Sequence, residues 1–107
     1  VTLLGHLFGN LIGNAIDAAG PGGSVGVTAE KVNGKVVIEV SDTGPGPSQA
    51  VADRLFEPFV TGKEQGIGLG LAVAKQAAEG HGGAIDWRRD GGRTVFRVVL
   101  PLPPRIQ

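Results

Sequence analysis

Three short stretches carry residue types whose spacing could do chemistry. In GKEQGIGLGLAVAKQ, residues 62–76, Gly66, Gly68 and Gly70 stand at the mouth of an apolar-periodic segment, with Lys63 three residues ahead of them. A helix N-terminus exposes unpaired N–H groups and the positive end of the dipole, and glycine lets a phosphate approach that backbone. The pattern alone is weak. It is not a Rossmann fingerprint, because a polar loop precedes it, and not a Walker A loop, because no Gly-Lys-Ser/Thr closes it. In DTGPG, residues 42–46, Asp42 ends a β-branched run and Gly44 and Gly46 follow. That can be a plain turn, or it can offer a carboxylate acceptor to an exocyclic amine with room beside it for a flat ring. Asn10 and Asn14 lie one helical turn apart. They can simply be solvated, or they can present side-chain oxygens to a hard cation such as Mg²⁺, which keeps several waters while bridging phosphates.

The elements that must position these residues follow from periodicity. Across residues 2–19, Leu4, Leu7, Phe8, Leu11, Ile12, Ala15 and Ile16 recur at helical spacing. At about 100° per residue, His6, Asn10, Asn14 and Asp17 form a stripe on the other side. Gly5, Gly9 and Gly13 make a third line, which reads as close packing against a neighbour. Pro21-Gly22-Gly23 ends the helix. Strands are expected over Ser24–Glu30 and over KVVIEVSD, joined by the hairpin signal Asn33-Gly34. A short helix over Ser48–Leu55, a second long helix from about Leu69 to Glu79, and a last hairpin of AIDWR and TVFRVVL complete the order. The expected fold is α+β: a two-layer sandwich with about three helices on one face of a mixed, largely antiparallel sheet.

Composition narrows the function classes. The 107 residues are one domain, with ten basic and ten acidic side chains, so bulk charge draws the chain to neither nucleic acid nor an anionic membrane. There is no cysteine, which excludes disulfides and thiolate chemistry, and two histidines are too few for an all-imidazole zinc site. No apolar run approaches the roughly 18 residues of a membrane span. The 19 glycines and 7 prolines approach the composition of disordered chains, yet they sit at turns and motifs between periodic segments, so a folded domain is the better reading. The chain starts at Val1 and shows no signal-peptide pattern, which reads as a piece of something longer.

Taken in order, the stretches resemble one family. HLFGNLIGNAIDA is similar to the N box, DTGPG to the first glycine box, FEPF to the F box and GIGLG to the second glycine box of the ATP-binding catalytic domain of sensor histidine kinases. That family belongs to the superfamily of gyrase, MutL and the large heat-shock chaperones. GHGGAIDW and RTVFRVVLP resemble its closing segments, so the likeness covers about residues 6–101, with 102–107 left as a tail.

The resemblance implies a Bergerat-type fold whose first strand is missing here, which would leave a bare sheet edge open to pairing and dimer formation. It implies ATP and Mg²⁺ as ligands. Asn14 would hold the metal and Asn10 would bond within the phosphate site. Asp42 would accept from the adenine amine with Thr94 helping through water, Gly44 and Gly46 would let the base lie flat, and Phe59 would wall the pocket. Gly66, Gly68 and Gly70 would line the phosphates, and Lys63 would reach the terminal one. Thr61-Gly62-Lys63 resembles the short threonine-lysine lid of one subgroup, which implies an open site and modest affinity.

Gyrase-like members carry glutamate where Asn10 stands, and an amide cannot take a proton at neutral pH. Asn10 therefore favours a phosphoryl donor over an efficient ATPase. The partners implied are a histidine-bearing dimerisation domain of the same parent and a downstream response regulator, in a cytoplasmic setting with no direct membrane contact. The competing readings are a nucleotide-sensing or docking pseudo-enzyme and a stand-alone ATPase or serine kinase of the same superfamily. His6 faces the site, whereas His81 reads as a helix cap, Asp17 as solvated or paired, Trp87 as packing, and Glu57 as capping or pairing.

Overall fold

A computed structural model describes residues 3–47, 52, 54–57 and 70–102. Helix α1 (Leu3–Ala19) is followed by strands β1 (Val25–Val32) and β2 (Lys35–Asp42), helix α2 (Gly70–Gly80), and strands β3 (Ala84–Asp90) and β4 (Arg93–Pro101). The strands form one sheet in the order β1-β2-β4-β3. Every neighbouring pair is antiparallel.

Two turns explain much of that pairing. Asn33 and Gly34 have φ of 50° and 78°, and Gly91 and Gly92 have 59° and 83°. Positive φ at both central residues is the type I′ geometry, whose twist matches the flanking strands and returns the chain antiparallel. Where the sequence suggests a mixed sheet, the described strands are thus wholly antiparallel. The two long helices expected from periodicity are both described. Of the segment expected to be helical over 48–55, Ala52 is helical, residues 54 and 55 are in a turn, and the remainder lies outside the described residues.

The core sits between the helices and one sheet face. Leu7, Leu11 and Ala15, spaced by four, form the buried stripe of α1, with Phe8 and Ile12 at its margin. Ala74, Ala77 and Ala78 of α2 are buried with them, and their small side chains let the two helices pack together. From the sheet come Val40, Phe96 and Val98. Burying one leucine is worth roughly 1.5–3 kcal/mol, so Leu7 and Leu11, both fully buried, anchor α1 over the strands. Trp87 packs at the edge of this cluster, as expected.

Both helices end on glycine. Gly20, at φ 68°, closes α1 through its N–H to the Ile16 carbonyl at 3.3 Å. At the end of α2, Gly83 N donates to Ala78 O at 2.8 Å and Gly82 N to Glu79 O at 3.0 Å, with Gly82 at φ 79°. This is a Schellman motif. Two members of the line of helix glycines have no close described neighbour. Among the described residues nothing lies within 4 Å of a Cβ built on Gly9 or Gly13, and both positions are exposed. A regular line of small residues marks a face without saying whether a neighbour covers it.

The outer sheet face is charged. Arg88 Nη1 meets Glu39 Oε2 at 3.0 Å, and Arg97 Nε lies 3.9 Å from the same oxygen. The Glu39 hydrogen bond raises the Arg88 pKa above its ordinary value. These exposed pairs solubilise the face and contribute little to stability.

Candidate functional site

One cross-strand row carries the site. Val25 pairs with Asp42, Asp42 with Thr94, and Thr94 with Arg89, so the row crosses all four strands. Alternation along β2 and β4 puts Asp42 and Thr94 on the same side as Val40, Phe96 and Val98, the side the helices cover. Asp42 and Thr94 are the two buried polar residues among those described, each 2% exposed.

One Asp42 oxygen is tied to its own turn. Its Oδ1 accepts from Gly44 N at 2.8 Å, which bends the chain out of β2 in an Asx turn. Its Oδ2 accepts from no described residue. No buried side-chain oxygen or nitrogen among them is sealed off without a partner. The turn reading and the acceptor reading of DTGPG are therefore compatible. Thr43 secures the turn from the other side: its Oγ1 accepts from Ser24 N at 3.0 Å, and its N–H donates to Ser24 O at 3.2 Å.

The glycines of this turn answer to protein atoms. A Cβ on Gly44 would collide with the Ala18 carbonyl oxygen of α1 and lie 2.9 Å from Asp42 Oδ1. The end of α1 thus rests on the Asp42–Gly44 turn. Gly46 has φ 82°, and a Cβ there would lie 2.9 Å from both Arg89 Cδ and Thr94 Oγ1.

Arg89 is the member of the row that motif reading passes over. Its Nη1 donates to Gly44 O at 2.7 Å and to Thr94 Oγ1 at 2.6 Å. A signal for it exists in the sequence: in AIDWRRD, alternation from Ile85 and Trp87 brings Arg89 to the inward face.

Asn10 and Asn14 are half-buried on α1. Asn14 lies four residues before Ala18, hence about 6 Å along the same helix from the contact with Gly44. His6 and Asp17 are exposed on this helix. Gly70 is the first residue of α2, so the glycine run does lead into a helix N-terminus. Phe59, Lys63, Gly66 and Gly68, with Thr61 and Gly62, lie outside the described residues.

His81 has the capping place expected of it, with Nδ1 2.9 Å from Ala77 O at the end of α2. Glu57 is exposed in a turn, its N–H donating to Arg54 O at 3.0 Å.

Among the described residues no group of three or more His, Cys, Asp or Glu side chains could hold an ion. A single amide oxygen such as that of Asn14 fits Mg²⁺ only when phosphates and waters supply the remaining ligands. No described helix is long and apolar enough to cross a membrane.

Comparison with known proteins places this geometry. The chain is 41% identical over 106 residues to the C4-dicarboxylate transport sensor protein DctS of Rhodobacter capsulatus, covering 94% of this chain and 16% of DctS. It is 41% identical over 109 residues to sensor protein CutS of Streptomyces coelicolor, covering 94% of this chain and 26% of CutS. The chain therefore spans about a sixth to a quarter of these relatives. Among solved structures, the catalytic domain of histidine kinase ThkA superposes with a TM-score of 0.84 at 34% identity, over 92% of this chain and 66% of that one. Full-length ShkA, in complex with AMPPNP, gives 0.79 at 34% identity, over 92% and 21%. The model of the histidine kinase-, DNA gyrase B- and HSP90-like ATPases matches residues 1–104. The chain belongs to that family, as the ATP-binding catalytic domain of a sensor histidine kinase.

Proposed function

We propose that this domain binds Mg-ATP and donates its γ-phosphoryl group to a histidine on a separate dimerisation domain of the same parent protein. The observation that carries the reading is Asp42: a buried carboxylate with one oxygen fixing its own turn and the other accepting from no described residue, on the strand next to Thr94 and at the turn beneath the end of α1. The likeness to ShkA, solved with AMPPNP, supports the nucleotide, and the match to ThkA solved with the response regulator TrrA (TM-score 0.78, 30% identity, over 94% of this chain and 28% of that one) supports a regulator downstream.

In this reading Asp42 Oδ2 accepts from the 6-amino group of adenine, and Thr94 supports the base through water. Gly46 keeps the turn low where the ring lies, and Phe59 walls the pocket. Asn10 bonds within the phosphate site and Asn14 holds the divalent ion, which when bound neutralises charge on the phosphate oxygens. Gly66, Gly68 and Gly70 bring backbone N–H groups to the phosphates, and Lys63 reaches the terminal one. Phosphoryl transfer asks mainly for positioning and charge stabilisation, so the domain's task is to hold ATP in line for an incoming imidazole. Asn10 leaves no base to activate water at that position, which spares the bound nucleotide from hydrolysis.

The test is incubation with γ-labelled ATP, with and without a histidine-bearing dimerisation domain. Label should appear on the added domain and not on this chain. Strong labelling of the isolated chain would contradict the proposal.

A further inference from the structure

Thr94 Oγ1 is held by a group that can only donate. A guanidinium has five N–H donors and no acceptor, and Arg89 Nη1 reaches Thr94 Oγ1 at 2.6 Å. The hydroxyl oxygen must therefore accept there, and its own proton must point elsewhere. No described residue takes that proton, although Asp42 is the Cα partner of Thr94 across β2 and β4. The same Nη1 also donates to Gly44 O at 2.7 Å, so one side chain fixes both the turn that carries Asp42 and the hydroxyl beside it. Gly46 packs against the Arg89 stem, close enough that a Cβ would lie 2.9 Å from its Cδ. Arg89 itself makes no ion pair with a described carboxylate, so its hydrogen bonds are spent on this turn and on Thr94.

We infer that Arg89 is a specificity-determining positioning residue: by making Thr94 Oγ1 an acceptor toward itself, it turns the Thr94 hydroxyl into a donor toward the ligand. The site then presents an acceptor, Asp42 Oδ2, beside a donor, Thr94 O–H. Adenine offers the complement, an amino donor at C6 next to a ring-nitrogen acceptor at N1, whether met directly or through a water that relays the same polarity. Guanine offers the reverse, a carbonyl acceptor at C6 next to an N–H donor. A mismatch of this kind leaves polar groups unpaired on both sides, and that is how hydrogen-bonding sites reject close analogues. The inference rests on the adenine reading proposed above and adds the residue that sets its polarity.

Calorimetric titration of the whole chain with ATP and with GTP tests it, using wild type, Arg89→Met, Arg89→Lys and Thr94→Val. Arg89→Met frees the hydroxyl to rotate, and the ATP-over-GTP preference should fall about fivefold to tenfold, the worth of one net hydrogen bond. Arg89→Lys, also a pure donor, should retain most of the preference, which loss of packing alone would not explain. Should Arg89→Met lower the melting temperature too far for titration, Thr94→Val decides the matter, because it removes the hydroxyl with little change of shape and should lose the same preference. A wild-type preference for ATP that survives intact in a folded Arg89→Met, or in Thr94→Val where Arg89→Met does not fold, overturns the inference and leaves the adenine reading standing. Wild-type protein that binds neither nucleotide overturns the adenine reading itself.

Discussion

Asp42 and Thr94 are Cα partners across β2 and β4, and each is only 2% exposed although Asp42 has no ion-pair partner among the described residues. Two polar side chains buried side by side are tolerated when their hydrogen bonds are accounted for. Here Gly44 N–H and the Arg89 guanidinium account for one oxygen each, and what no described residue takes up is one carboxylate oxygen and one hydroxyl proton on neighbouring strands. In the proposed function that remainder meets the adenine.

Asp42→Asn keeps the Asx turn, because the amide oxygen can still accept from Gly44 N–H, and it replaces the open acceptor by an amide. Losing a hydrogen bond to a charged group costs about 1.5–3 kcal/mol, or about 10- to 100-fold in Kd. At ATP set to 100 times the wild-type Kd, wild type gains about 2.7 kcal/mol of stability. A 30-fold weaker variant gains under about 1 kcal/mol at the same concentration. A thermal-shift series should show a ligand-free melting temperature close to wild type and an ATP response that is mostly gone.

Asn14→Ala addresses the metal. The expected outcome is loss of the Mg²⁺-dependent part of ATP affinity with the affinity in EDTA unchanged. Paired titrations with and without the ion measure this, and an undiminished Mg²⁺ increment would remove Asn14 from the metal's coordination.

Gly44→Ala should damage the fold as well as the site. Its Cβ meets a backbone carbonyl at Ala18, which cannot swing away as a side-chain end can. Overpacking of this kind costs about 1–3 kcal/mol, and in a domain of this size each kcal/mol lowers the melting temperature by about 4 °C or more. Urea unfolding should show the loss in the midpoint with the slope unchanged.

Leu11→Ala tests the platform beneath. Leu11 is fully buried between α1 and the sheet, and truncation of such a residue costs about 2–5 kcal/mol. Because α1 also carries Asn10 and Asn14, the variant should bind ATP more weakly in proportion to the unfolded population, a deficit that cooling toward the stability maximum should shrink.

Much of the fold was legible because local chemistry and tertiary demand agree. Leu7, Leu11 and Ala15 can form only one buried stripe, and Asn33-Gly34 and Gly91-Gly92 accept the positive φ that a two-residue turn requires. Asp42 was legible as a site residue through its motif, but its division of labour was not. The contact that claims Oδ1 comes from the backbone of Gly44, and the contact that orients Thr94 comes from Arg89 on the neighbouring strand β3. Arg89 escaped because no motif names it, and only the alternation of β3 sends Arg88 to one face of the sheet and Arg89 to the other. The glycine line at Gly9 and Gly13 was less legible, because spacing describes one helix and cannot name what stands opposite it.

The central claim is that adenine recognition and triphosphate binding meet at the Asp42–Gly44 turn under α1. Backbone amide NMR of the chain, titrated with Mg-AMPPNP, tests it most directly. The account predicts saturable shifts at Gly44, Gly46, Thr94, Asn10 and Asn14 together, with the outer-face residues Glu39, Arg88 and Arg97 unmoved. Shifts absent from the Gly44–Gly46 turn, or confined to the outer face, would contradict it.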